Sequence, residues 1–208
     1  RGFAVGTAYA KTETLQTAIF TVILLGEAVS QTALIAIFVS LIGVFMLSSA
    51  KSSTGLKDIL FSWTEKAALF GLASAALLGL SAVSYRGAAL AMEGEGALLQ
   101  AASTLVVALA IQTAMMTPYL AFKERGELKR IWQNRRKAML VGLASMLGSV
   151  GWFTAMTLQN AAYVRALGQI ELIFTFLTSV LIFRERIAKA EIGGTLLIVG
   201  GVLILLLG

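Results

Sequence analysis

The 26 residues Ala138–Tyr163 carry no charged side chain, and the stretch Leu167–Leu207 is nearly as apolar. A helix needs about 20 apolar residues to cross roughly 30 Å of hydrocarbon. The chain must therefore fold where its backbone amides find partners within each segment, as helices do. Leu167–Leu207 also has an earlier echo. One gapless shift of 158 residues lays Lys11–Ser49 onto Gln169–Leu207. Glu13 then meets Glu171, Thr17 meets Thr175, Val22 meets Val180, Glu27 meets Glu185, and Gly43-Val44 meets Gly201-Val202. Two copies of a helix–loop–helix unit in a membrane chain point to a transporter built from internal repeats.

Composition narrows the alternatives. Charged residues make up 13% of the 208, against about 25% in a soluble domain. A soluble helical bundle would also need polar outer faces that these segments lack. Cysteine and histidine are absent, which excludes disulfides, thiolate nucleophiles, His- or Cys-built metal sites and Ser-His hydrolysis. Asp58 is the sole aspartate and lies in a connection, so there is no intramembrane aspartyl dyad. No G-x-x-x-x-G-K-[ST] motif occurs, so ATP is not the direct energy source. The expectation is a non-enzyme without cofactor or metal.

The apolar pattern predicts seven spans: Leu15–Gly26, Thr32–Ser49, Ala67–Met92, Gly96–Phe122, Ala138–Tyr163, Ala166–Phe183 and Ala190–Leu207. Arg1–Ala10 is too short to cross and reads as the tail of a further helix, with sequence expected upstream. Lys51–Lys66 is polar and marks the expected boundary between two halves, residues 1–49 and 67–208. Fourteen lysines and arginines fall in alternate connections: Lys11; Lys51, Lys57 and Lys66; seven in Lys123–Lys137; and Arg184, Arg186 and Lys189. The opposite connections hold only Arg165. The positive-inside rule makes the basic set cytoplasmic and puts the C-terminus outside.

Leu24-Leu25-Gly26-Glu27 and Ile182-Phe183-Arg184-Glu185-Arg186-Ile187 each end a short apolar helix with a glutamate before a turn. Both copies lead into a helix containing Gly-Val followed by apolar residues. Together with Gly193–Val202 and the Trp152-Phe153-Thr154-Ala155 stretch, this pattern resembles the EamA-type branch of the drug/metabolite transporter superfamily. The resemblance implies an all-α integral membrane bundle of two inverted five-helix repeats. In that ten-span layout, this chain would hold the end of helix 3 through helix 10. The family often has proline after the glutamate that starts helices 4 and 9, where this chain has Thr14 and Leu172. The resemblance implies both termini in the cytoplasm, which differs from the charge reading. It further implies a multi-pass protein of the cytoplasmic (inner) membrane that exports small organic metabolites or drugs.

Glu13 and Glu171 are the sharpest site candidates. Each heads a polar stripe at i, i+4, i+8: Glu13/Thr17/Thr21 and Glu171/Thr175/Ser179. A carboxylate withdrawn from water holds a proton more readily, and could exchange one or pair with a cationic substrate group. The bland alternative is a pair of acids at the interface that favour a helix N-terminus. Glu27 and Glu185 read as turn anchors rather than ligands. Arg86 ends a stripe of small residues, Gly71, Ala75, Gly79 and Ala82, and could attract a carboxylate, pair with Glu93, or snorkel. Gln112 calls for a partner away from lipid, and Pro118 can kink its span. Ser145, Ser149, Trp152, Gln159 and Tyr163 share helical spacing. The expected cavity is lined by Gln112, Trp152, Gln159, Tyr163, Gln169 and Glu171 from the second half, with Glu13 and Tyr9 from the first. Interhelical packing explains several of these equally well.

The basic run Lys123–Lys137 surrounds Trp132 and reads as an interfacial segment rather than a nucleic-acid site. Expected partners are a small-molecule substrate, the lipid bilayer, a coupling proton and, as an open alternative, a second copy in a homodimer. The competing function is a non-transporting assembly or regulatory component on a transporter-like fold. A channel would want a continuous polar ring, which no span supplies.

Overall fold

The computed structural model describes residues 2–50, 56–92, 96–124, 126–184 and 188–208. Glu93, Glu185 and Lys51 lie outside this set, and with them the Glu185 anchor and the Arg86–Glu93 pair. The described residues contain helices and no strand. In chain order the helices are α1 (Gly2–Ala10), α2 (Glu13–Phe20, extended by a π-helical turn Thr21–Leu25), α3 (Gln31–Ala50), α4 (Leu56–Phe61) and α5 (Lys66–Ala91). Then come α6 (Ala97–Lys123), α7 (Glu127–Gln133), α8 (Arg135–Leu158), α9 (Ala161–Gly168), α10 (Ile170–Leu181) and α11 (Lys189–Leu207). Among the described residues, six segments are long and apolar enough to cross a membrane: α3, α5, α6, α8, α9–α10 and α11. The protein is an all-α, multi-pass membrane protein.

Two boundaries differ from the sequence expectation. Ala138–Tyr163 is not one span, because α8 stops at Leu158 and Gln159 turns extended, with φ −135° and ψ 157°. Asn160 then caps α9, its Oδ1 accepting from the Ala162 amide at 2.9 Å. That cap satisfies one of the orphan amides at a helix start, and the sequence reading overlooked it. The second difference concerns Arg1–Ala10 and Leu15–Gly26, which are not separated by a loop. The chain tightens at Lys11-Thr12 through short-range bonds, Lys11 N to Ala8 O and Thr12 N to Tyr9 O, both 3.1 Å. Thr12 itself keeps right-handed helical geometry. The same happens at Gln169, whose amide donates to Ala166 O at 3.2 Å between α9 and α10. Lys11 and Gln169 are partners under the 158-residue shift. Hence α1–α2 is the counterpart of α9–α10, with a break at the equivalent place, and α3 is the counterpart of α11.

The chain forms two compact units, residues 1–84 with 160–208 and residues 85–159. In the first unit α3 and α11 pack closely through glycine. A Cβ on Gly43 would lie 2.6 Å from Gly194 O and 2.9 Å from the Ile198 side chain. A Cβ on Gly201 would strike Ser40 Oγ and lie 2.7 Å from Ala36 O. The shift converts Ala36 into Gly194, Ser40 into Ile198 and Gly43 into Gly201, so the two contact sets exchange. This reciprocity is the signature of a local two-fold axis. Leu47 sits by Gly194 while Thr32 sits by Gly208, so the two helices run antiparallel. Equivalent helices of opposite direction make this an inverted repeat.

On another side of this unit, α5 lies against α1 and α2 through its small residues. A Cβ on Gly79 would lie 2.8 Å from Thr17 Oγ1, and one on Gly71 would strike Gly6 O. Ala75 and Ala82, between and beyond them, are fully buried. Small side chains permit the backbone approach that van der Waals packing requires where lipid removes the hydrophobic drive.

In the second unit α6 pairs with α8, and most of both helices' surfaces are exposed. Exposed leucine, valine and methionine on a helix that crosses the hydrocarbon are in their preferred solvent.

Candidate functional site

The two helix breaks in the first unit bring charge together. Lys11, at the α1–α2 break, pairs with Glu171 at the start of α10, Nζ to Oε1 2.7 Å. Arg165 on α9 pairs with Glu13 at the start of α2, Nη1 to Oε1 2.9 Å. Between them Gln169 Nε2 donates to Thr14 Oγ1 at 2.8 Å, a buried contact. Arg165 and Gln169 are one turn apart and reach the adjacent residues Glu13 and Thr14, so the α9–α10 break and the α1–α2 break meet side by side. Both cations cross from one repeat to the other.

The repeat-related glutamates differ in environment. The Glu13 side chain is 17% exposed and that of Glu171 is 62% exposed. Their stripes follow suit: Thr17 and Thr21 are fully buried, whereas Thr175 is exposed. Locally the two are alike, since Thr17 Oγ1 donates to Glu13 O at 2.8 Å and Thr175 Oγ1 to Glu171 O at 2.9 Å. Packing of α5 on α2 at Thr17 covers the Glu13 stripe, and the cations are placed differently too. The counterpart of Arg165 is Thr7, so Glu171 draws its cation from Lys11 instead. Glu13 Oε1 is buried and accepts no aligned hydrogen bond; its 2.9 Å approach to Arg165 is a charge contact rather than a directed bond. Gln169 Oε1 is likewise buried without a donor. The site thus holds two enclosed acceptor oxygens beside two cations.

The remaining candidates fall in several places. Tyr9 is buried among Val5, Ala8, Phe45, Ile59 and Ala68, stacks edge-on against Phe45 at 5.6 Å, and donates its hydroxyl to Ile59 O at 3.1 Å. Tyr163 accepts from the Ser30 amide at 2.9 Å, and Glu27 Oε2 accepts from Asn160 Nδ2 at 3.1 Å. These two bonds tie the turn before α3 to the start of α9. The second unit holds Arg86, Gln112, Trp152 and Gln159. Arg86 Nη1 lies 2.5, 3.1 and 2.8 Å from the carbonyls of Met156, Thr157 and Gln159. It therefore covers the open carbonyls at the end of α8, where a cation also complements the helix dipole. Gln112 is exposed on α6, its amide 3.4 Å from the Tyr85 hydroxyl, and Tyr85 stacks on Phe153 at 4.2 Å. Trp152 and Gln159 are also exposed in that unit.

Sequence reasoning missed Lys11, Thr14, Asn160 and Arg165. One signal was present: Arg165 stood alone among otherwise uncharged connections, as expected of a cation placed inside an element rather than between elements. Among the described residues no cluster of acidic side chains could hold a metal ion.

The family comparison decides the class: the EamA-like transporter family matches residues 65–207. The chain belongs to the EamA-like transporter family. No curated protein and no solved structure gives a significant match. Membership makes this a membrane transporter of the drug/metabolite transporter superfamily, with a small-molecule substrate and a lipid surround. EamA-like proteins are transporters rather than enzymes.

Proposed function

We propose that this EamA-like protein exports small organic metabolites or drugs across the cytoplasmic membrane by alternating access, with Glu13 as the coupling carboxylate. The observation that carries the reading is the pair of crossed ion contacts, Lys11–Glu171 and Arg165–Glu13, at equivalent breaks of two inverted repeats. Rocking one repeat against the other must remake contacts of this kind, because they are charged links between the moving parts. Glu13 is the more enclosed acid. Neutralising it removes the charge that faces Arg165 at 2.9 Å and so weakens a contact between the repeats.

The test uses everted membrane vesicles and a panel of labelled metabolites, with an imposed pH gradient. Wild type concentrates a compound class with the gradient. Glu13→Gln exchanges that class across the membrane but no longer responds to the gradient. A Glu13→Gln variant that still concentrates substrate with unchanged gradient dependence would remove Glu13 from coupling.

A further inference from the structure

The connection between α6 and α8 has a chemistry of its own. Residues 123–137 hold seven cations against two carboxylates. Within it α7 is amphipathic. Leu128, Ile131 and Trp132, at i, i+3 and i+4, are 40%, 47% and 71% exposed, and no residue of α7 is buried. One cation, Arg130, is occupied by Glu127 at 2.6 Å. Another, Arg135, stacks over the Trp132 ring at 5.6 Å. Lys129, Arg136 and Lys137 stand exposed beside them.

Where α7 can reach is tightly bounded. The apolar helix α6 ends at Lys123 and α8 begins at Arg135, so only residues 124–126 and Asn134 separate α7 from two membrane crossings. Three extended residues reach about 10 Å. That is about one Debye length at 0.1 M salt, so the cations stay within range of charge on the membrane surface. A helix with an apolar stripe, a cationic flank and an aromatic residue is built to lie in the head-group plane.

We propose that α7 and its flanking cations form a binding surface selective for anionic phospholipid head groups. Trp132 and Ile131 seat at the acyl boundary, the Arg135 guanidinium is held in place by the indole, and Lys129, Arg136 and Lys137 take the lipid phosphates. Each such cation near an anionic surface strengthens binding roughly fivefold.

The experiment reconstitutes the full chain as a Trp63→Phe/Trp152→Phe variant, so that Trp132 is the sole indole. Vesicles contain brominated phosphatidylglycerol in a phosphatidylcholine background, or the reverse, at equal bromolipid fraction. Bromine quenches an indole at contact. The proposal expects quenching several-fold stronger by the brominated anionic lipid, and loss of that excess in Lys129→Gln/Arg136→Gln/Lys137→Gln. A second set with Trp152 alone checks that the triple variant is still folded in the bilayer, its quenching being the same with and without the three changes. Equal quenching by the two lipids, no quenching by either, or an excess that survives the triple change overturns the proposal.

Discussion

Gly201 sits where α3 and α11 come closest, and substituting it tests the two-fold seam quantitatively. An alanine methyl there would meet Ser40 Oγ, Ala36 O at 2.7 Å and Ser40 N at 3.0 Å. Two of these three atoms belong to the backbone of α3 and cannot rotate aside, so the helices must part. Overpacking of this kind costs about 1–3 kcal/mol. Alanine also gains up to about 1 kcal/mol in helix propensity over glycine, which would mask part of the effect. Gly200 removes that ambiguity. It lies next in the same helix, and a methyl there meets nothing within 4 Å. The propensity term is common to both positions, so the difference between Gly201→Ala and Gly200→Ala isolates the clash. Reversible unfolding in mixed micelles, followed by tryptophan fluorescence, should place Gly201→Ala about 1–3 kcal/mol below Gly200→Ala. By the two-fold relation Gly43→Ala, facing Gly194 O at 2.6 Å, should fall by a similar amount. Equal stability of the Gly200 and Gly201 variants would refute the close antiparallel packing of the two repeats.

Further outcomes follow from the charged groups. Arg86→Gln removes a cation from three carbonyls at the end of α8 and should lower unfolding free energy by about 1.5–3 kcal/mol in the same assay, with Arg86→Lys losing less. A double-mutant cycle on Glu13 and Arg165, each changed to glutamine, should give a coupling energy above about 1 kcal/mol, because the pair is largely enclosed. The same cycle on Lys11 and Glu171 should give less than about 1 kcal/mol, since the Glu171 side chain is mostly exposed and solvent or head groups compete for both ions. Equal coupling in the two cycles would contradict the asymmetry between the repeats.

The repeat was legible in the sequence because residues such as Glu13, Thr17, Glu27 and Gly43 matched at one offset, and the apolar runs located most of the spans. An offset relates residues without saying which way each copy points, so inversion stood only as an implication of the family resemblance. Contacts of Thr32 with Gly208 and of Leu47 with Gly194 show it directly. Lys11 misled because a charge between two apolar runs usually marks water. Here it sits at a tight break between two helices, paired with Glu171 from the other repeat. Asn160 was hidden for the opposite reason: two amides in a run of small apolar residues do not break the hydropathy pattern, although Asn160 ends one helix and caps the next. The stripe Glu171/Thr175/Ser179 matched Glu13/Thr17/Thr21 with only serine for threonine at the last place, yet burial separates them. Two features set them apart: α5 packs on α2 at Thr17 through Gly79, and Glu13 faces Arg165, whose counterpart is Thr7.

The most direct measurement is a metabolite profile of medium and cytoplasm from cells expressing the protein, its Glu13→Gln variant, or an empty vector. The account predicts that one compound class accumulates outside with the wild type and returns towards the vector level with Glu13→Gln, both proteins being present in the membrane at equal amounts. Three identical profiles under those conditions would contradict transport by this chain and favour a non-transporting role for its fold.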